Sequence, residues 1–226
     1  MKIGVIDIGY RNFALSVEHV PNRAIKELEK QYSKLPKKDK IIERRPLTDP
    51  LKKFLNVFNK QCKNVLLELT DMNEGETGLQ NSTRRNLAKY LESKKSLLKQ
   101  CSYIAVEQQF KTGQAMNFDA VLFGESCYSW LVVNLPHVNI SYTPSRYKTC
   151  LLGCPREIIE IQDNGLRTTR PIVKRDRKKW SVQMAKKIFT LRGDTKSLEY
   201  LEGNKADDVS DCLLMTIAFV LKTFVM

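Results

Sequence analysis

Residues 1–17 read MKIGVIDIGYRNFALSV, and the fold is decided there. Residues 3–8 are apolar at successive positions, as in a strand buried on both faces. Gly9 to Asn12 supply turn residues before a second strand at 13–20, so the chain opens with an antiparallel hairpin. Asp7 stands inside the first strand. An ionised carboxylate in that setting must be hydrogen-bonded, paired or bound to a cation.

Beyond the hairpin, residues 21–40 are rich in Lys and Glu and end in LPKKDK. They read as a polar helix or excursion, more insertion than core, leading to a third strand near 41–46. Residues 50–69 predict a short helix and then the apolar segment VLLEL, whose place in the sheet stays open; DMNEGETG follows as a loop. Leu87, Tyr90, Leu91, Leu97 and Leu98 recur at helical spacing and predict a helix over 82–100. A strand over 102–106 ends at Glu107, a helix spans about 115–133, VNISY forms another strand, and TPS at 143–145 begins a short helix. Strand now alternates with helix, which implies parallel strands joined by helical crossovers. The expected fold is α/β, a mixed sheet of three antiparallel strands plus two parallel strands flanked by helices. Residues 153–176 lack an apolar period and read as a mobile loop, and two helices, about 178–191 and 205–224, close the chain. The 226 residues read as a single domain, 1–226, with lengthened connections within about 21–101.

Lys and Arg number 38 against 25 Asp and Glu, a net charge of +13, which favours a polyanionic partner. With 42% hydrophobic and 28% charged residues the composition is that of an ordered globular protein, not of a disordered basic tail. The N-terminus has the alternation of a strand and lacks the features of a signal peptide. The apolar stretch 212–226 is interrupted by Lys222 and falls short of the roughly 20 residues of a membrane span, so it reads as a core helix, with no membrane partner and an intracellular location expected. The six cysteines read as reduced, buried thiols. Cys150, Cys154 and His137 do not have a recognised zinc spacing.

Three more carboxylates share the oddity of Asp7. Glu107 ends the strand YIAVE, and Asp208 and Asp211 stand three apart at the start of the last helix, where both can face one point. Taken singly, Asp7 caps a turn, Glu107 pairs with a lysine, and the aspartates favour a helix N-terminus; the i,i+4 spacing leaves Asp207 open as the partner of Asp211. Taken together, four anions at two strand ends and a helix start would repel one another unless divalent cations intervened, and hard ions such as Mg²⁺ prefer carboxylate oxygen. Two such ions can hold a phosphodiester between them. Phosphodiester hydrolysis fits both this acid group and the basic composition.

These residues resemble a family. DIGYRNFALSV is similar to the D-x-G strand-turn-strand opening of the RNase H-like superfamily. VEQQF at 106–110, with GQAMNF and FGES after it, resembles the second acidic motif of RuvC-type Holliday junction resolvases. KKWSVQMAKKIF and KADDVSDCLLM resemble that family's lysine-bearing helix and closing D-x-x-D helix. Motif order and character are nearest to the resolvases of poxviruses, other large DNA viruses and their mitochondrial relatives; residues 21–101 match least. The resemblance implies a homodimer that binds branched DNA, a four-way junction, and makes two symmetric nicks with two Mg²⁺ per site, Mn²⁺ as a possible substitute. For a viral chain the location implied is a cytoplasmic replication site. By the same resemblance Asp7, Glu107, Asp208 and Asp211 bind the metal. Lys179 falls at the scissile phosphate, with Lys178 as the alternative, and Phe110 takes the place of an aromatic that stacks on bases. Arg167, Arg170, Lys174, Arg175, Arg177 and Lys178 are candidate DNA contacts, and Arg84, Arg85, Lys94, Lys95 and Lys99 could extend that surface. The long apolar helix ending in Trp130, Leu131, Val132 and Val133 is the candidate dimer interface.

Three other readings compete. An actin-like ATPase shares the D-x-G opening, but glycine-rich phosphate loops of the right form are missing among the ten glycines. An RNase H-like nuclease acting on RNA or flapped DNA could carry the same acids, since the fold places the metals and the surface selects the substrate. A non-catalytic junction-binding module would have no need of all four acids.

Overall fold

The structure is a computed structural model that describes residues 1–109, 117–161, 167–203 and 205–226. Phe110 lies outside the described residues, as do 162–166 of the segment 153–176 and 115–116 of the stretch 115–133.

Its centre is a five-stranded sheet in the order β3-β2-β1-β4-β5. Strand β1 (Lys2–Asp7) pairs antiparallel with β2 (Phe13–His19), which pairs antiparallel with β3 (Lys63–Thr70). On its other side β1 pairs parallel with β4 (Cys101–Gln108), and β4 with β5 (Asn139–Pro144). This is the expected mixed sheet of three antiparallel and two parallel strands. Its third antiparallel strand, however, is VLLEL and its neighbours, not 41–46. That segment is not a strand: Arg44 has φ 63°, a left-handed value foreign to a strand, and Pro46 has no amide to give to a ladder.

Strand alternation divides the core into two layers. Ile3 and Val5 of β1 and Ala105 of β4 face helices α1 (Asn22–Lys34) and α2 (Asp49–Gln61), together with two later helices, α6 (Lys174–Arg192) and α8 (Ala206–Val220). Ile6, Phe13, Leu15, Ile104 and Val106 face the opposite layer, α3 (Asn81–Leu98) and α4 (Phe118–Asn134). Helix α1 is thus core: Ala24, Ile25, Leu28 and Tyr32 recur on one side of a Lys/Glu-rich sequence and are buried. The charged residues that suggested an insertion occupy its solvent side. Helix α8 is buried around most of its circumference, and no helix among the described residues is long and apolar enough to cross a membrane.

Residues 153–176 are not a loop throughout. After the short helix α5 (Tyr147–Cys150), strands β6 (Glu157–Ile161) and β7 (Arg167–Pro171) form a separate antiparallel pair, and α6 starts at Lys174. The hairpin contributes nothing to either core layer, so no apolar period marks it in the sequence. The six cysteines are free and buried, and His137 is exposed in the turn between α4 and β5. Helix α7 (Thr195–Glu199) links α6 to α8.

One buried ion pair locks the α6 side of the sheet. Arg192, at the end of α6, donates to both carboxylate oxygens of Glu18 on β2, at 2.9 and 3.1 Å, and its Nε donates to the Asn59 carbonyl at 3.2 Å. Glu18 is 1% exposed. Replacing Arg192 by Met should therefore cost about 3–5 kcal/mol in chemical denaturation, because a carboxylate is left buried without its partner. A cost under 1 kcal/mol would show that this pair does not hold α6 to the sheet.

Candidate active site

Asp7 and Glu107 come together by register. Ile6 faces Val106 in the β1–β4 ladder, one residue before each acid. Asp7 has the parity of Ile3 and Val5, and Glu107 that of Ala105, so both point to the α8 side at the C-terminal ends of adjacent parallel strands. There they are 8% and 7% exposed and hydrogen-bonded to one another. Asp208 and Asp211 stand in the first two turns of α8, which crosses β1 on that face.

A lysine that the sequence reading did not single out lies among them. Lys148 of α5 donates from Nζ to Glu107 Oε1 at 3.0 Å and to Asp211 Oδ2 at 2.5 Å, with 12% of its side chain exposed. Lys179 is exposed on α6. Lys178, one position earlier, pairs with Asp207, and Ser181, three positions on from Lys178 and on the same side of the helix, hydrogen-bonds Asp211. The sequence did hold a signal for Lys148, the only Lys in the short helix directly after the strand that pairs with β4; a lysine-rich run at the start of α6 drew the assignment instead. Gln109 Nε2 donates to Glu107 Oε2 at 3.0 Å and completes the shell.

The electrostatics follow from burial and crowding. Burial, reinforced by the negative charge of Glu107 and the hydrogen bond to it, pushes the Asp7 carboxyl well above its usual range. Burial works against Glu107 too, but the Asp7 hydrogen bond and the Lys148 ammonium outweigh it and hold Glu107 below the usual range. Burial raises Asp211 despite Lys148, and burial together with Asp207 raises Asp208 to about 6. Lys148 is desolvated, yet the charges of Asp7, Glu107 and Asp211 keep it firmly protonated.

Among the described residues no group of three or more His, Cys, Asp and Glu side chains is arranged to hold a metal ion; the anions converge on the ammonium instead. The donor chemistry nonetheless suits a hard divalent cation. Every candidate ligand is a carboxylate oxygen, and the repulsion among Asp7, Glu107 and Asp211 adds to the upward push on the Asp7 carboxyl.

The remaining candidates divide. Arg167, Lys174, Arg175 and Arg177 are exposed along β7 and the first turn of α6. Arg170 is engaged within the protein: it pairs with Glu160 of β6 and, at 2.6 Å, with Asp176 of α6. Lys94 pairs with Glu68 and Lys95 with Glu92. On α4, Leu131 is fully buried and Trp130 packs against the core, whereas Phe118, Val132 and Val133 are exposed.

The raised Asp208 carboxyl sets a pH dependence. Between 3.8 and about 6 the folded chain holds a proton that the unfolded chain has lost, so this group's contribution to stability falls as pH rises through that window. Asp208→Asn should melt a few degrees above the parent at neutral pH in metal-free buffer, with the difference shrinking toward pH 4. Equal melting temperatures throughout would mean that Asp208 is not crowded.

No family model and no curated protein matches the chain. Solved structures do. The fowlpox virus resolvase in complex with substrate Holliday junction DNA superposes with a TM-score of 0.53 at 12% identity, covering 98% of each chain. Thermus thermophilus RuvC superposes with a TM-score of 0.51, also at 12% identity, over 99% of this chain and 98% of its own. The chain shares the fold of these two resolvases along almost its whole length.

Proposed function

We propose that the chain is a structure-selective DNA endonuclease that resolves four-way junctions by paired, metal-dependent nicks and works as a homodimer. The observation that carries this reading is the convergence of Asp7, Glu107 and Asp211 about Lys148 at the ends of adjacent parallel strands, on a chain of net charge +13. Its fold is shared with a fowlpox enzyme solved on junction DNA.

Each residue has a task in this account. Asp7, Glu107, Asp208 and Asp211 would hold two Mg²⁺, with Mn²⁺ as a substitute; such ions would supply charge neutralisation and an activated water. Glu107, held below the usual range, would offer a charged oxygen directly, whereas burial works against the charged form of Asp7. Lys148 keeps the acids together before substrate arrives, and its ammonium then donates to a nonbridging phosphate oxygen. Lys179, Arg167, Lys174, Arg175 and Arg177 hold phosphates further along the DNA, adding salt-dependent affinity without sequence preference. The exposed Phe118, Val132 and Val133 of α4 support this helix as the dimer interface, and a second site brought by a partner is what paired nicks require. A chain that sediments as a monomer at working concentration would remove the dimer.

The test is cleavage of labelled four-way junction, linear duplex and RNA:DNA hybrid, with and without Mg²⁺. Nicks are expected in the junction alone and only with metal. Asp7→Asn should abolish cutting while junction binding survives, and Lys148→Ala should slow cutting about 100-fold or more. Preferred cutting of the hybrid would identify an RNA-directed nuclease instead. Junction binding without any metal-dependent cutting would identify a non-catalytic module.

A further inference from the structure

The β6–β7 hairpin is an element that the core does not need. One of its faces is anchored: Arg170 pairs with Glu160 across the two strands and with Asp176 at the start of α6. The other face carries two open isoleucines among polar neighbours. Ile159 and Ile161 are 66% and 69% exposed, and they share a side because they are two residues apart. Opposite Ile161 stands Arg167, opposite Ile159 stands Thr169, and Glu157 lies at the base. Two bare isoleucines on an isolated two-stranded ribbon are a liability unless a partner covers them.

Charge and position identify that partner. Arg167 borders the isoleucines, and Lys174, Arg175 and Arg177 are exposed on the adjoining first turn of α6. Two copies of the chain apposed through this cationic surface would repel, whereas a polyanion is attracted. The hairpin also leaves the chain between α5, whose Lys148 holds Glu107 and Asp211, and α6, whose Ser181 hydrogen-bonds Asp211. The two elements that flank the hairpin in the chain therefore both reach the acid group. Branched aliphatic side chains gain nothing from phosphates; they gain by pressing on base faces, as apolar wedges do between base steps. Unstacking costs least where pairing is already interrupted, as at a branch point.

We propose that the β6–β7 hairpin is a wedge for the branch point: Ile159 and Ile161 press on bases unstacked there, Arg167 takes the neighbouring phosphate, and Arg170 is the positioning residue that fixes the wedge to α6. The inference rests on the reading of the chain as a junction-binding protein.

It is tested with a four-way junction carrying 2-aminopurine at the exchange point, alongside linear duplex of the same length, in metal-free buffer. The parent protein should raise the fluorescence. The double variant Ile159→Thr/Ile161→Thr keeps β-branched residues at exposed positions; it should lose most of that rise and bind the junction about tenfold more weakly, with duplex affinity unchanged. Arg167→Ala should instead weaken junction and duplex together and reduce the salt slope by about one. A double variant that matches the parent in fluorescence and in junction preference would overturn the wedge and leave the junction reading intact. A double variant that sediments as a monomer where the parent is a dimer would make the hairpin a contact between copies and also overturn it. A parent protein without junction preference would bring down the reading itself, and the wedge with it.

Discussion

The arrangement depends on how negative charge is tolerated inside a protein. Asp7 and Glu107 are carried to one point by the parallel β1–β4 register, and Asp211 is brought there by a helix so apolar that it has no other place than against the sheet. Burial and mutual repulsion then leave two remedies, a proton or a cation. Both pressures are visible: the Asp7 carboxyl is pushed up, and the Lys148 ammonium lies between Glu107 and Asp211. The gathered groups are carboxylate oxygens, the donors that hard cations prefer.

The same charges organise the surrounding elements. Lys148 reaches the acids from α5, Ser181 reaches Asp211 from α6, and Lys178 ties α6 to Asp207 of α8. Arg170 then ties the β6–β7 hairpin to α6 through Asp176. A chain of ion pairs and hydrogen bonds thus runs from the strand ends to the hairpin and holds it in register with the acids.

Much of this was legible in the sequence. Asp7 and Glu107 are conspicuous because carboxylates interrupt strands that are otherwise apolar, and the D-x-x-D spacing at Asp208 and Asp211 follows from helical geometry alone. The parallel strands and the two closing helices announce themselves by alternation and period. What escaped was whatever depends on pairing across long separations. The choice of 63–70 over 41–46 as the third strand is made by register with β2. The β6–β7 hairpin is held by Arg170 and by its own ladder, without an apolar period. Lys148 belongs to the site because β5 delivers its helix beside β4, whereas local sequence around Lys179 looked the stronger candidate.

The central claim is that these carboxylates form one cation site, with Lys148 as its stand-in counter-charge. Crystals soaked in Mn²⁺ and measured at the manganese absorption edge test it most directly. The account predicts an anomalous peak in contact with the carboxylates of both Asp7 and Glu107, and the Lys148 ammonium moved away from at least one of its present partners. Crystals that bind Mn²⁺ only elsewhere, or show none beside these two acids even with junction DNA bound, would contradict it.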